Sequence, residues 1–180
     1  RELSYAQLLH KVEQRSSQLQ QLGARRIALA LDNGIDWVLW DLATLHAGLV
    51  CVPLPGFFSS SQQLHVLDSA GIDCLVSALA QPGFVQASPG LHLRSVVQAA
   101  DLHPDTCKIT YTSGTTGQPK GVCLDIATQL AVAQSLVQAS ASCKVERHLC
   151  VLPLATLLEN IAGVYAPLLA GAQIELMPMT

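Results

Sequence analysis

Apolar residues recur along this chain with two alternating periods, one helical and one strand-like. Tyr5, Leu8, Leu9, Val12, Leu19 and Leu22 follow at near-helical spacing, and Gly23 closes the run. Ser4 and Gln7 occupy the positions of a capping box, with Ser4 as N-cap and Gln7 reaching back. Arg26-Ile27-Ala28-Leu29-Ala30-Leu31 has strand length, and Asp32-Asn33-Gly34 reads as a turn. A second helix is predicted over 35–46, ending at Gly48; its apolar residues, Trp37 and Trp40 among them, surround most of its circumference, so it should be buried. Strands are predicted over 49–52 and 72–77, separated by a loop at 55–60 and a helix over 62–69. A loose stretch at 78–90 carries Pro82, Gly83, Pro89 and Gly90 and suggests a connector or a subdomain boundary within 78–105. A short helix over 94–100 then leads into strand-like Cys107-Lys108-Ile109-Thr110-Tyr111. Farther on come a return strand at 122–124, a helix over 126–139 capped by Asp125, a strand over 148–152, a helix over 156–169 weakened by Pro167, and a strand over 173–176.

Helices alternating with short apolar strands imply βαβ units and a largely parallel sheet, hence an α/β fold. Composition agrees: of 180 residues, 50% are hydrophobic and 13% charged, which supports a real core and argues against disorder. A net charge of −3 provides no basic field for nucleic acid, and 4% aromatics provide few stacking platforms for bases. The apolar span 42–67 is broken by Pro53, Pro55, Gly56 and serines, so it is no membrane helix; a cytoplasmic setting is expected. None of the six cysteines forms a Cys-x-x-Cys pair, which removes zinc-ribbon and thioredoxin readings and leaves free thiols as the expectation. His46, His65 and His148 have no nucleophilic partner at a recognisable spacing and read as core or surface histidines, and Asp32, Asp36, Asp101 and Asp105 read as turn residues. The chain opens at Arg1 without methionine and stops at Thr180, and is expected to be a piece of a longer protein.

Candidate chemistry concentrates in Tyr111-Thr112-Ser113-Gly114-Thr115-Thr116-Gly117-Gln118-Pro119-Lys120-Gly121-Val122. Glycines let backbone N–H groups converge on an anion, hydroxyls donate further hydrogen bonds, and lysine adds a point charge. The string is not the common P-loop, which needs four residues between its glycines and Ser or Thr after the lysine. Taken by residue type alone, it fits either a phosphate site or a surface loop.

The whole string resembles the phosphate-binding signature of the adenylate-forming superfamily, which contains acyl- and aryl-CoA synthetases, peptide-synthetase adenylation domains and beetle luciferases. Every position from Thr112 to Gly121 fits that pattern. Leu3-Ser4-Tyr5, Arg26-Ile27-Ala28-Leu29 with the Trp37 helix, and Ala47-Gly48-Leu49-Val50-Cys51-Val52-Pro53-Leu54 resemble the opening of the family's large N-terminal domain in style and order. Leu152-Pro153-Leu154-Ala155-Thr156-Leu157-Leu158-Glu159-Asn160 resembles a later motif near the acyl pocket. Many relatives carry His or an aromatic residue where Thr156 stands, and Thr156 could equally be a helix N-cap. Glu159 matches an acidic position of fatty-acyl members; read on its own, it is a charge on a helix surface.

The resemblance implies that residues 1–180 are the N-terminal part of an AMP-binding domain, lacking a C-terminal domain. Thr112, Ser113, Gly114, Thr115, Thr116, Gly117, Lys120 and Gly121 would hold ATP phosphates, Lys120 acting in catalysis, with Thr156 and Glu159 near the substrate. The magnesium ligand, the ribose aspartate and a late catalytic lysine are expected outside the chain, so no metal ligand is assigned within it. The implied reaction activates a carboxylic acid, fatty or otherwise hydrophobic, as acyl-adenylate, and then transfers it to coenzyme A or to the phosphopantetheine of an acyl carrier protein. Two alternatives stand beside it: an amino-acid adenylation domain, and a non-catalytic nucleotide-binding or interaction module with the same fold. The piece alone is expected to be inactive and prone to self-association through apolar surface.

Overall fold

The computed structural model describes residues 2–96, 100–112 and 118–179. Helix α1 (Tyr5–Gln21) starts at the expected capping box: Ser4 Oγ accepts from Gln7 N, and the Gln7 side chain accepts from Ser4 N. Then follow β1 (Arg26–Ala30), α2 (Ile35–His46), β2 (Val50–Pro53), α3 (Ser60–Ser69) and β3 (Cys74–Ser77). Helix α3 begins earlier than its apolar pattern implies, because Ser59 and Gln62 form a second capping box. Asp36 lies in the first turn of α2, not on a turn between elements, and pairs with Arg15 of α1.

Strands β3, β1, β2 and β6 (Thr106–Thr112) run parallel to one another in the centre of a seven-stranded mixed sheet ordered β4-β5-β3-β1-β2-β6-β7, in which β5 (Leu91–Leu93) is antiparallel to both β3 and β4 (Val85–Ser88), and β7 (Lys120–Asp125) is antiparallel to β6. Consecutive strand residues supply opposite faces. Ile27, Leu29, Cys51 and Val76 join one core with Trp37 of α2; Ala28, Val52 and Leu75 join the other with Val66 of α3. Burial on both faces is why these strands read as continuous apolar runs without polar alternation.

Two expectations need correction. Residues 78–90 are not a plain connector: β4 (Val85–Ser88) and β5 (Leu91–Leu93) form an antiparallel hairpin that pairs with β3 and extends the sheet. Pro89-Gly90 is its turn, with Gly90 at φ +77°. The second concerns the helix over 94–100: Arg94, Ser95 and Val96 are not helical, and 97–99 lie outside the described residues. Arg94 is drawn instead to the end of α3, donating to Ile72 O at 2.7 Å and pairing with Asp68 at 2.7 Å.

Beyond the hairpin of β6 and β7 (Lys120–Asp125) lies α4 (Ile126–Ser140), capped as expected by Asp125, which accepts from Thr128 N at 2.6 Å. A second sheet pairs β8 (Arg147–Cys150) in parallel with β9 (Gln173–Leu176). Their connection is α5 (Leu157–Glu159), a π-helical segment (Asn160–Tyr165) and α6 (Ala166–Ala170). Among the described residues no helix is long and apolar enough to cross a membrane.

All six cysteines are free thiols, with Cys51, Cys74 and Cys150 buried. Burial, and secondarily Asp73, pushes the Cys74 thiol up from 9.0 to about 12. The thiol therefore stays protonated in the fold while the unfolded chain ionises, so its contribution is complete below about pH 9 and is lost as pH rises from there toward 12. The urea midpoint should fall across that window, and the fall should be shallower in Cys74→Ala. A midpoint independent of alkaline pH would contradict the assignment.

Candidate active site

The phosphate-loop candidate is the tip of the β6–β7 hairpin. Thr112 faces Lys120 across the ladder and Tyr111 faces Gly121, so the first and last polar groups of the signature flank the loop at its neck. Both Thr112 and Lys120 are exposed. Ser113, Gly114, Thr115, Thr116 and Gly117 lie outside the described residues.

Helix α3 holds the neck of the hairpin. Tyr111 Oη and Ser69 Oγ are 2.8 Å apart, and His65 Nε2 lies 3.1 Å from the Pro119 carbonyl oxygen. A carbonyl only accepts, so this contact puts the proton of His65 on Nε2. His65 thus has a structural role beside the loop that its sequence context does not reveal. Burial raises the Tyr111 phenol above its ordinary value, which keeps it protonated and able to donate to Ser69.

Gly121 has a packing reason to be glycine. A Cβ there would meet Ile109 Cγ2 at 2.8 Å and the Tyr111 ring at 3.0 Å. Gly121→Ala should therefore push β7 off β6 and cost about 1–3 kcal/mol. Thermal unfolding would show the loss, and an unchanged midpoint would mean that the hairpin yields without strain.

The second candidate segment, 152–160, is clamped by a residue from the far end of the chain. Asn33 donates from Nδ2 to Leu152 O at 2.8 Å and accepts Leu154 N at 2.8 Å. With those backbone groups taken, β8 stops at Cys150 and not at 152 as the apolar run implies. Thr156 occupies the N-cap position of α5, but its hydroxyl donates to Pro153 O at 2.8 Å and caps nothing. Glu159 is not a surface charge. It is 6% exposed and turned toward β8, with Leu152 N donating to its carboxylate at 3.3 Å.

A buried polar network joins the two segments. Lys108 of β6 is fully buried, and its ammonium donates to Asp41 of α2 at 2.7 Å, to Tyr165 Oη at 2.7 Å and to Asn160 Oδ1. Asp41, also fully buried, further accepts Tyr165 Oη at 2.7 Å, Asn160 Nδ2 at 3.1 Å and the Cys51 thiol at 3.2 Å. The three ammonium protons and both carboxylate oxygens are therefore engaged, the condition for burying an ion pair without a large penalty. Burial first, and Asp41 second, drive the Tyr165 phenol and the Cys51 thiol well above their ordinary values, so both stay protonated as donors. The strand that leads into the candidate phosphate loop is thus fixed to the helix that follows Glu159. No spacing rule links positions 41, 108, 160 and 165, and in sequence Lys108 stands only as one member of a strand-like run.

The chain matches the AMP-binding enzyme family over residues 1–180. Over 96% of its length it is 27% identical to a CoA ligase of Gibberella moniliformis, and it covers 34% of that protein. It is 30% identical over 68% of its length to a 2-succinylbenzoate–CoA ligase of Bacillus cereus, covering 27% of it. The chain therefore spans about a third or less of these relatives. In fold it is similar to ATP-bound MatB from Rhodopseudomonas palustris, with TM-score 0.78 at 19% identity, covering 97% of this chain and 40% of that one. It is similar also to the O-succinylbenzoate coenzyme A synthetase of Bacillus subtilis in complex with AMP, with TM-score 0.78 at 22% identity, covering 96% and 49%.

Proposed function

Because the chain belongs to the AMP-binding enzyme family, we propose that it forms the N-terminal part of the large domain of an ATP-dependent ligase that activates a carboxylic acid as its acyl-adenylate. The observation that carries this reading is the complete Thr112–Gly121 signature at the tip of a hairpin whose neck is fixed by α3. The substrate carboxylate attacks the α-phosphorus of ATP, forming the acyl–phosphate bond as the bond to pyrophosphate breaks. Charge grows on the departing phosphates. Thr112, Ser113, Thr115 and Thr116 donate hydroxyls there, Gly114 and Gly117 open the backbone to the anion, and Lys120 supplies positive charge. Gly121 keeps β7 close enough to β6 for Lys120 to stand opposite Thr112. Magnesium neutralises phosphate charge when bound. No residue from 112 to 121 is a carboxylate, so this segment offers it no anionic ligand, and no step here is routed through it.

A thiol, coenzyme A or a carrier-bound phosphopantetheine, takes the acyl group in the second half-reaction, and AMP leaves. We assign a hydrophobic acid, fatty or aryl, as the substrate class. Support comes from the apolar surroundings of the 152–160 segment and from relatives whose names include a succinylbenzoate ligase. Thr156 and Glu159 belong to that segment, and Glu159 is buried.

The test is a panel of fatty, aryl and amino acids supplied to the intact protein with ATP, read as pyrophosphate release. Release should depend on the acid and be at least tenfold faster with apolar acids than with polar amino acids, about 1.4 kcal/mol in the barrier. Preference for a polar amino acid would move the protein to the peptide-synthetase branch. Nucleotide binding without release for any acid would favour a non-catalytic module.

A further inference from the structure

We propose that His148, Cys150 and Glu159 form a divalent-cation site of zinc type, which fastens β8 to the helix leading into the buried Lys108 network. His148 and Cys150 are two residues apart on β8 and so share one face of the strand. Glu159, the last residue of α5, turns its carboxylate to that face. The ligand atoms of the three side chains all lie within 4.8 Å of one another.

Each donor has a physical reason to want a cation. The Glu159 carboxylate is buried, and none of the ion pairs among the described residues includes it. A carboxylate removed from water without a counter-charge is costly. Among the described residues Nε2 of His148 has no hydrogen-bond partner, and it is sealed from solvent, which is also costly. A cation between them removes both costs. Imidazole, thiolate and carboxylate together form a ligand set that suits zinc better than magnesium or calcium, which prefer oxygen alone.

Geometry permits the site without rebuilding the backbone. Zinc bonds of about 2.0–2.3 Å place tetrahedral ligands about 3.4–3.7 Å apart, so side-chain shifts of roughly an ångström or less close the present spacing. Gly163 makes the room: a Cβ there would stand 2.9 Å from Cys150 Sγ and 3.2 Å from Glu159 Oε1. The Cys150 thiol now donates to the Gly163 carbonyl at 3.2 Å. In a regular helix that carbonyl would bond the nitrogen four residues on, which is Pro167 and has no hydrogen. Pro167 thus leaves the Gly163 carbonyl, within the π-helical segment, without its ordinary helical donor and open to the Cys150 thiol. Cys150 gives its proton to solvent when the cation binds. Three protein ligands leave one position open for water. Because Asn160 follows Glu159 and accepts from Lys108, an occupied site would also stiffen the link to β6.

The experiment uses the intact protein, stripped of metal by chelator and dialysed, then titrated with Co2+ as the probe. One equivalent should produce a thiolate-to-cobalt charge-transfer band together with the intense visible bands of tetrahedral cobalt. Cys150→Ser should abolish the charge-transfer band, and His148→Gln, at a half-buried position, should weaken Co2+ binding at least tenfold. Cys123→Ser and Cys143→Ser, both at exposed thiols, should leave the spectrum intact. Zn2+ should displace Co2+ and raise the melting temperature of the wild type but not of His148→Gln. Absence of a charge-transfer band in the wild type would overturn the proposal. So would a band that His148→Gln leaves at full affinity, or one that disappears in Cys123→Ser or Cys143→Ser.

Discussion

Asp41→Ala should destabilise the fold by about 3–5 kcal/mol, the largest effect expected of any single substitution described above. The alanine leaves the Lys108 ammonium fully buried with only the neutral oxygens of Asn160 and Tyr165 as partners. It also strips the acceptors from Tyr165 Oη, Asn160 Nδ2 and the Cys51 thiol, none of which can reach water. An apolar residue in place of the lysine removes the orphaned charge. Asp41→Ala combined with Lys108→Met should therefore be more stable than Asp41→Ala alone, by about 1 kcal/mol or more. Urea midpoints of the wild type, the two single variants and the double variant provide the cycle. Additive losses would show that the two groups do not interact as a pair, and a loss below about 1 kcal/mol for Asp41→Ala would show that the network contributes little.

Lys120→Ala should slow adenylate formation more than tenfold, roughly 1.4 kcal/mol or more in the barrier, while leaving the fold unchanged. The two halves of that statement have separate grounds. Lys120 is exposed at the start of an edge strand, and among the described residues its side chain makes no hydrogen bond or ion pair, so truncation should cost little packing. On the proposed reading, its place opposite Thr112 sets its charge where negative charge would build as pyrophosphate departs. The change should appear in kcat/KM for pyrophosphate release, with the unfolding midpoint of the wild type retained. Lys120→Arg should recover only part of the rate, because a planar fork cannot occupy the place of a compact ammonium. Unchanged release by Lys120→Ala would reduce the residue to a solvated charge.

What was legible from sequence was local. The Ser4–Gln7 capping box, the Asp125 cap and the strand Gln173–Leu176 are each set by neighbouring residues, and each stands where its pattern implies. The β4–β5 hairpin was hidden because strands of four and three residues between proline and glycine turns are too short to display a period. The π-helical turn was hidden because Pro167 signals only a lost hydrogen bond, not that a thiol from β8 takes the freed carbonyl. Glu159 was misread as a surface charge because the helix face that meets β8 is settled by tertiary packing. Of the site, the signature itself was readable in full. Its supports were not: Asn33 reaches 119 residues along the chain to Leu152, and Lys108 reaches 67 residues to Asp41. Long-range polar pairing of this kind leaves no trace in local residue order.

Carboxylate-dependent exchange of labelled pyrophosphate into ATP tests the central claim most directly, because it reports reversal of adenylate formation and requires no thiol. The intact protein should catalyse exchange only when a carboxylic acid is present, and Lys120→Ala should reduce the exchange rate more than tenfold. Saturable ATP binding with no exchange for any fatty, aryl or amino acid would contradict the assignment of this chain to a carboxylate-activating ligase.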